Sequence, residues 1–361
     1  MAAVLFTGFP GFLGTALLPR VLERSAGDTA VCLVQSRFAA LAAERAERIA
    51  ADHPACDGRI TLIEGDITEP GLGLDDPDAL TRRTVEVFHL AAAYDLSVRR
   101  DIGLRVNVDG TRHVLEFAAA CAGLRRLQHM STCYVSGRYA GVAGEGDLAR
   151  GQVFNNSYEE TKFLAEVEVR AAMHRGLPAT VYRPAIVVGD SRTGETQKYD
   201  GPYHVIRLLL RQGRVAVVPV VGDPAMTRIN VVPRDFVVDA VAHLSALPRA
   251  AGRVYQLADP RPLTVDELLE ELARVTGRRI VRVAVPRRTA KTGLRVPGAR
   301  RLLQLPPNLV DYMVHPTHYA TDNATADLEG TGIRVPPLPT YLDRLVEFVR
   351  EHPEIGSTAM V

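Results

Sequence analysis

A chain of 361 residues, 47% hydrophobic and 24% charged, can bury one large core plus a smaller lobe and is too apolar to be disordered. Its 43 Lys and Arg nearly cancel its 42 Asp and Glu, so no overall field draws it to nucleic acid or an anionic membrane. The four cysteines, Cys32, Cys56, Cys121 and Cys133, form no C-x-x-C pair and no metal-ligand pattern, which argues for a reducing compartment and against a metal site.

The start, Met-Ala-Ala-Val-Leu-Phe-Thr-Gly, lacks the basic region of a signal peptide, and no apolar stretch reaches membrane-spanning length without a charge. A soluble, cytoplasmic protein is expected. Apolar runs at 3–7, 30–34, 60–63, 85–90, 127–130 and 179–188 alternate with helical patterns at 12–23, 41–50, 105–121 and 158–174. Parallel neighbours need crossovers, so this alternation predicts an α/β Rossmann fold with a doubly wound parallel sheet. Its ligands sit beyond the carboxyl ends of the strands.

After Gly189 the pattern changes. Residues 190–201 read as a polar loop, 203–211 and 235–247 as helices, and 254–258 as a strand able to rejoin the first sheet. Thr264, with Glu267 three residues on, opens a helix over 264–276 by a capping box. The pairs Pro306-Pro307 and Pro336-Pro337 break the remainder into short pieces. The expected division is a dinucleotide-binding domain over 1–188, completed by 228–260. A smaller, mainly C-terminal substrate lobe would come from 189–227 and 261–361.

Thr7-Gly8-Phe9-Pro10-Gly11-Phe12-Leu13-Gly14 links the first strand to the first helix. Gly8 permits the tight turn, Gly11 lets backbone approach a pyrophosphate, and Gly14 lets helix pack on strand. The second strand ends in Val34-Gln35-Ser36-Arg37, without the acid that holds an NAD ribose. Ser36 and Arg37 suit a 2′-phosphate, so NADP(H) is favoured over NAD(H). The bland alternative makes Arg37 the solvated start of a helix. Asp66 and Ile67 after the third strand can flank adenine, although Asp66 reads equally as a turn residue. His89-Leu90-Ala91-Ala92 follows the fourth strand. Leu90, Ala91 and Ala92 let a dinucleotide lie against backbone, and His89 reads as a core histidine.

Tyr158 and Lys162 are four apart in a predicted helix, so hydroxyl and ammonium share a face. An ammonium near a phenol favours phenolate and suits it to proton transfer. Thr132, just past the fifth strand, can hydrogen-bond a substrate carbonyl; otherwise it is an ordinary strand-end threonine. Cys133 reads as structural. Pro202-Tyr203-His204 and 205–210, with Leu208 and Leu209, are expected to wall an acyl channel; the bland alternative is a mobile surface loop over 190–201 with a core helix behind it.

Taken in order, Thr-Gly-x-x-Gly-Phe-Leu-Gly, His-Leu-Ala-Ala, Asn107-Val-Asp-Gly-Thr111, Ser131-Thr-Cys-Tyr-Val135, Tyr158-x-x-Thr-Lys162 with Ala165-Glu166, and Arg183-Pro184-Ala-Ile-Val187 resemble the extended short-chain dehydrogenase/reductase superfamily. The resemblance covers roughly residues 1–260. It is strongest to the fatty acyl-CoA reductase and thioester reductase (male sterility-like, NAD-binding) branch. It implies Thr132, Tyr158 and Lys162 as catalytic residues, with Lys162 also at the cofactor. It also implies Pro184, Ala185, Ile186 and Val187 beside the nicotinamide, and it aligns Asn107 with the family's fourth-helix asparagine. The activity it implies is NADPH-dependent reduction of a coenzyme A- or carrier-bound acyl thioester to aldehyde or alcohol. A ketoreductase or alcohol dehydrogenase acting on a lipid, steroid or polyketide, a sugar-nucleotide epimerase and a non-catalytic nucleotide sensor are the alternatives. Cys133-Tyr134 stand where sugar-nucleotide dehydratases carry Asp-Glu, which sets that branch aside. A homodimer is left open.

Overall fold

A computed structural model describes residues 2–94, 96, 98–286 and 309–357. The first half runs β1 (Ala3–Thr7), α1 (Phe12–Leu22), β2 (Thr29–Val34), α2 (Ala39–Asp52), β3 (Ile60–Glu64), α3 (Pro77–Thr81), β4 (Thr84–His89), α4 (Arg100–Gly103), α5 (Gly110–Ala120), β5 (Arg126–Met130), β6 (Gly141–Ala143), α6 (Ser157–His174) and β7 (Ala179–Pro184). The second half runs β8 (Ile186–Val188), α7 (Pro202–Leu210), β9 (Val215–Val220), β10 (Val231–Pro233), α8 (Arg234–Ala246), β11 (Val254–Leu257), α9 (Val265–Thr276), β12 (Arg279–Ala284), α10 (Leu309–Tyr312), β13 (Thr317–Tyr319), α11 (Asp322–Leu328) and α12 (Leu342–Glu351).

Seven strands form one parallel sheet in the order β11-β7-β5-β4-β1-β2-β3. The inner strand β1 is buried at every position, as strands covered by helices on both faces must be. Its side chains alternate between two cores: Val4 and Phe6 join one, Ala3 and Leu5 the other. The direction of strand order reverses at β1, with β2 on one side and β4 on the other. Thr7 and His89, the last residues of β1 and β4, are register partners. A crevice therefore opens at that topological switch point, where ligands of such sheets bind.

A third core belongs to a separate lobe built from α7, β9, α9 and α12. Its floor is a two-stranded parallel sheet, β9 with β12, which the sequence reading did not foresee. Strands so far apart in sequence, one of them largely exposed, leave no local alternation to read. The capping box is present: Thr264 Oγ1 accepts from Glu267 N, and the Glu267 carboxylate accepts from Thr264 N. Strand β11 does rejoin the main sheet, beside β7. Pro306-Pro307 lie outside the described residues.

Two departures from expectation matter. The helix expected over 105–121 starts at Arg100 and passes through a π turn over Leu104–Asp109 before α5. Residues 317–328, expected in the lobe, pack instead with the main sheet. There β13 pairs with β6, and Tyr319, Ala324 and Leu328 enter its core. Polar anchors hold this segment: Asp327 accepts from the Tyr255 hydroxyl at 2.6 Å and from Arg249 Nε at 2.8 Å. The Glu145 carboxylate takes the Asn323 amide at 2.6 Å.

Candidate active site

A single cavity of about 490 Å³ runs from the glycine turn, past the ends of β4, β5 and β7, into the lobe. The turn fits a dinucleotide for a steric reason. Gly8 has φ +91°, and a Cβ there would come within 2.7 Å of Ala91 N and Leu90 C. A Cβ on Gly11 would come within 2.6 Å of Gly8 O, whose carbonyl closes the turn by accepting from Gly11 N at 2.9 Å. Helix α1 begins after Gly11 with no side-chain cap, so its first N–H groups are free for an anion.

Thr7 and His89 brace the crevice through a hydrogen-bond chain that fixes the histidine tautomer. The Ala91 amide donates to Thr7 Oγ1 at 3.3 Å, and the Thr7 hydroxyl donates to His89 Nδ1 at 2.8 Å. His89 Nε2–H then donates to Thr111 Oγ1 at 3.0 Å, because the Thr111 hydroxyl is spent on Asn107 O at 2.6 Å. Burial and the nearby Lys162 charge push His89 down to about 3, so it stays neutral and structural.

Thr7, Gly8, Phe9, Gly11, Phe12, Leu13 and Gly14 all line the cavity. So do Arg37, Asp66, Ile67, Leu90, Ala91 and Ala92, and at its far side Pro184, Ala185, Ile186 and Val187. Ser36 does not. Its hydroxyl is engaged by the Glu64 carboxylate instead. Arg37 is held by Gln35, whose Oε1 accepts from Arg37 Nε at 3.0 Å and Nη2 at 2.6 Å. Gln35 Nε2 in turn donates to Asp66 at 2.7 Å.

Arg45 also lines the cavity, and the sequence reading missed it. Its guanidinium donates to Pro10 O in the glycine turn and, at 3.0 Å, to Gln197 Oε1 in the 190–201 loop. Nothing marks this residue within a helix rich in Ala, Glu and Arg.

Tyr158 sits in the first turn of α6, which Asn156 caps by accepting from Glu159 N at 3.0 Å. Burial pushes the Tyr158 hydroxyl up, while a hydrogen bond with Thr132 pulls the other way. The phenol is therefore protonated at neutral pH. Lys162 Nζ donates to Met130 O at 2.7 Å; burial pushes it down to about 8, with Glu166 opposing. Thr132, Tyr158 and Lys162 all line one stretch of the cavity wall. The Tyr94 ring meets Tyr158 edge-on at 5.3 Å, and Lys198 Nζ lies 4.4 Å from the Tyr94 ring centre. Cys133 stays apart: burial pushes its thiol up, and Sγ donates to Arg183 O at 3.0 Å.

The π turn explains Asn107. It turns the side chain so that Oδ1 accepts from Ala93 N at 2.7 Å and Nδ2 donates to Thr161 Oγ1 at 2.9 Å. The loop after β4 and α6 are thereby joined. A second tie reaches the C-terminal segment, where the Tyr312 hydroxyl donates to Glu159 Oε1 at 2.9 Å.

The lobe end of the cavity is apolar, lined by Val205, Val218, Val220, Ile229, Val265, Leu268, Leu269 and Met313. Leu208 and Leu209, expected here, pack in the lobe core. Only the N-terminal turn of α7, through Pro202, His204 and Val205, reaches the cavity. Among the described residues no helix is long and apolar enough to cross a membrane, and no cluster of His, Cys, Asp or Glu could hold a metal ion.

The sheet, the glycine turn at its switch point and the residues around it define an NAD(P)-dependent oxidoreductase of the short-chain dehydrogenase/reductase type, in its extended form. The chain belongs to the family described as Male sterility protein, which matches residues 6–241. It is 27% identical over 295 residues to a linear gramicidin synthase of Brevibacillus parabrevis, covering 76% of this chain and 6% of that protein. It is 25% identical over 274 residues to the fatty acyl-CoA reductase wat of Drosophila melanogaster, covering 66% of this chain and 53% of that one. The chain thus spans well under two thirds of either curated relative. Among solved structures, the terminal R domain from the myxalamid PKS-NRPS biosynthetic pathway superposes with a TM-score of 0.81 at 25% identity, over 99% of this chain and 93% of that one. These relatives support a reductase.

Proposed function

We propose that this protein is an NADPH-dependent reductase of an acyl thioester, held on coenzyme A or a carrier protein, with Tyr158 as proton donor. The observation that carries the reading is one cavity joining the glycine turn, the Thr132–Tyr158–Lys162 wall and an apolar pocket in the lobe. The pocket suits the acyl group. The reductase relatives support the thioester as substrate, and the chain's division follows from this reading: main sheet for cofactor, lobe for substrate. Arg37, with no acid beside it at the end of β2, favours the 2′-phosphate. Four free, buried cysteines are in keeping with a cytoplasmic enzyme.

NADPH held along the glycine turn, by Gly8, Gly11 and the free N–H groups of α1, would supply hydride to the thioester carbonyl carbon. Tyr158 and Thr132 donate hydrogen bonds to the carbonyl oxygen as its negative charge develops. The carbonyl re-forms as the C–S bond breaks, giving aldehyde and thiolate, and the thiolate takes one proton. For reduction on to alcohol a second NADPH would supply a second hydride to the aldehyde carbon, and Tyr158 gives its proton to the alkoxide oxygen. Lys162, as an ammonium, stabilises the phenolate left behind.

The test follows nicotinamide absorbance with NADPH or NADH against acyl-CoAs, aldehydes and ketones. Acyl-CoA consumption with NADPH is expected, and Tyr158→Phe should lower turnover at least ~10²-fold with cofactor affinity kept. Turnover surviving in that variant would assign the proton to another group.

A further inference from the structure

The catalytic helix carries a second buried acid that the mechanism above leaves unused. Glu166 lies four residues after Lys162, one turn along the same face of α6, and is fully buried. Both its oxygens are engaged. Oε2 accepts from Ser131 Oγ at 2.6 Å and Arg183 Nε at 2.9 Å. Oε1 accepts from Arg183 Nη2 at 2.6 Å and Arg170 Nε at 2.9 Å. The Arg183 fork is a bidentate, charge-assisted pair, which fixes orientation as well as charge. Ser131 immediately precedes Thr132, and Arg183 immediately precedes Pro184. One carboxylate therefore ties the catalytic helix to the two strand ends that present Thr132 and Pro184 to the cavity.

A buried ion pair of this kind is weak evidence for stability, since apolar replacements are often neutral. Its placement beside Lys162 offers another role. We propose that Glu166 is a positioning residue for the catalytic pair: locked by Ser131 and Arg183, its charge keeps Lys162 an ammonium inside the protein. The proposal rests on the reductase reading, in which Lys162 works as a cation.

The groups around Lys162 leave Glu166 alone in that task. His89 of β4 and His129 of β5 are both pushed down by burial and by the Lys162 charge, and so are neutral. Tyr158, on the same helix, and Cys133, after β5, are both pushed up by burial and carry no charge. Arg183 of β7 and Arg170 of α6 are bound to Glu166 itself, and they hold its carboxyl low despite burial. Burial lowers Lys162 to about 8, and Glu166 is the charge that opposes this.

The chain contains only three lysines, Lys162, Lys198 and Lys291, so lysine-specific isotope labelling resolves each one by NMR. The Lys162 signal is the one lost in Lys162→Met. Removing the negative charge lets Lys162 lose its proton at lower pH. In Glu166→Gln its titration midpoint should fall by about one pH unit or more. Arg170→Gln leaves the Arg183 fork but strips one positive charge from the carboxylate, so the midpoint should rise. The alkaline limb of kcat should move with it in both variants. A merely structural role would lower thermal stability and leave the midpoint where it was. A folded Glu166→Gln with the wild-type midpoint overturns the proposal. If that variant does not fold, Arg170→Gln decides, and an unmoved or falling midpoint overturns it. The titration needs no substrate, so failure of the reductase reading would appear separately, as absence of NADPH-dependent turnover in the wild type.

Discussion

Gly8→Ala puts the cofactor cradle to a quantitative test. At φ +91° an L side chain costs about 1–2 kcal/mol in backbone strain alone. The new Cβ would also sit 2.7 Å from Ala91 N and Leu90 C, both backbone atoms at the end of β4. No side-chain rotation relieves that overlap, so β1 and β4 must part, at the ~1–3 kcal/mol typical of overpacking. The sum, about 2–5 kcal/mol, is a large part of a domain's roughly 5–15 kcal/mol of stability. Thermal unfolding with and without NADPH reads both consequences. The variant's Tm should fall by about 3–7 °C. The upward shift that NADPH gives the wild type, ~2.7 kcal/mol at a hundredfold excess over Kd, should shrink or vanish. A variant with wild-type Tm and an intact NADPH shift would refute the close approach of the turn to β4 and place the dinucleotide elsewhere.

Three further outcomes are expected. Arg37→Ala should weaken NADPH binding by about 1–3 kcal/mol in titration calorimetry and leave NADH nearly unchanged; equal losses would remove the 2′-phosphate assignment. Val218→Phe, on the cavity wall, should shift acyl chain-length preference gradually, at about 1–3 kcal/mol per methylene in kcat/KM, whereas Leu208→Phe in the lobe core should lower Tm without such a shift. The reverse pattern would restore Leu208 to the wall. Thr264→Ala should cost about 1 kcal/mol in denaturant unfolding by opening the capping box of α9, with kcat unchanged below the transition; a loss of kcat there would tie α9 to the chemistry.

The candidate-site residues that the sequence points to are those whose signals are local. The glycines of 8–14 require one turn between one strand and one helix, whatever surrounds them. Tyr158 and Lys162 share a face because helical geometry puts i and i+4 together. The absence of an acid after Val34 needs no partner to be noticed. Where the Ser36 hydroxyl points was not legible, because a hydroxyl's direction depends on what lies opposite, and across the sheet edge that is Glu64 on β3. Leu208 and Leu209 were misjudged because an apolar helix face does not say whether a core or a cavity receives it.

The sequence by itself determined the alternation of strands and helices in the main sheet and the glycine turn between β1 and α1, and it placed Tyr158 and Lys162 on one helix face, since each depends on neighbours within about one turn or strand. Tertiary structure alone decided the rest. Arg45 meets Gln197 across 152 positions, Tyr312 meets Glu159 across 153, and Glu166 meets Ser131 across 35. The lobe wall likewise gathers β9, α9 and Met313 from three separate stretches. Contacts between such distant residues form only when the chain has packed, because burial, not local conformational preference, chooses which side chains meet.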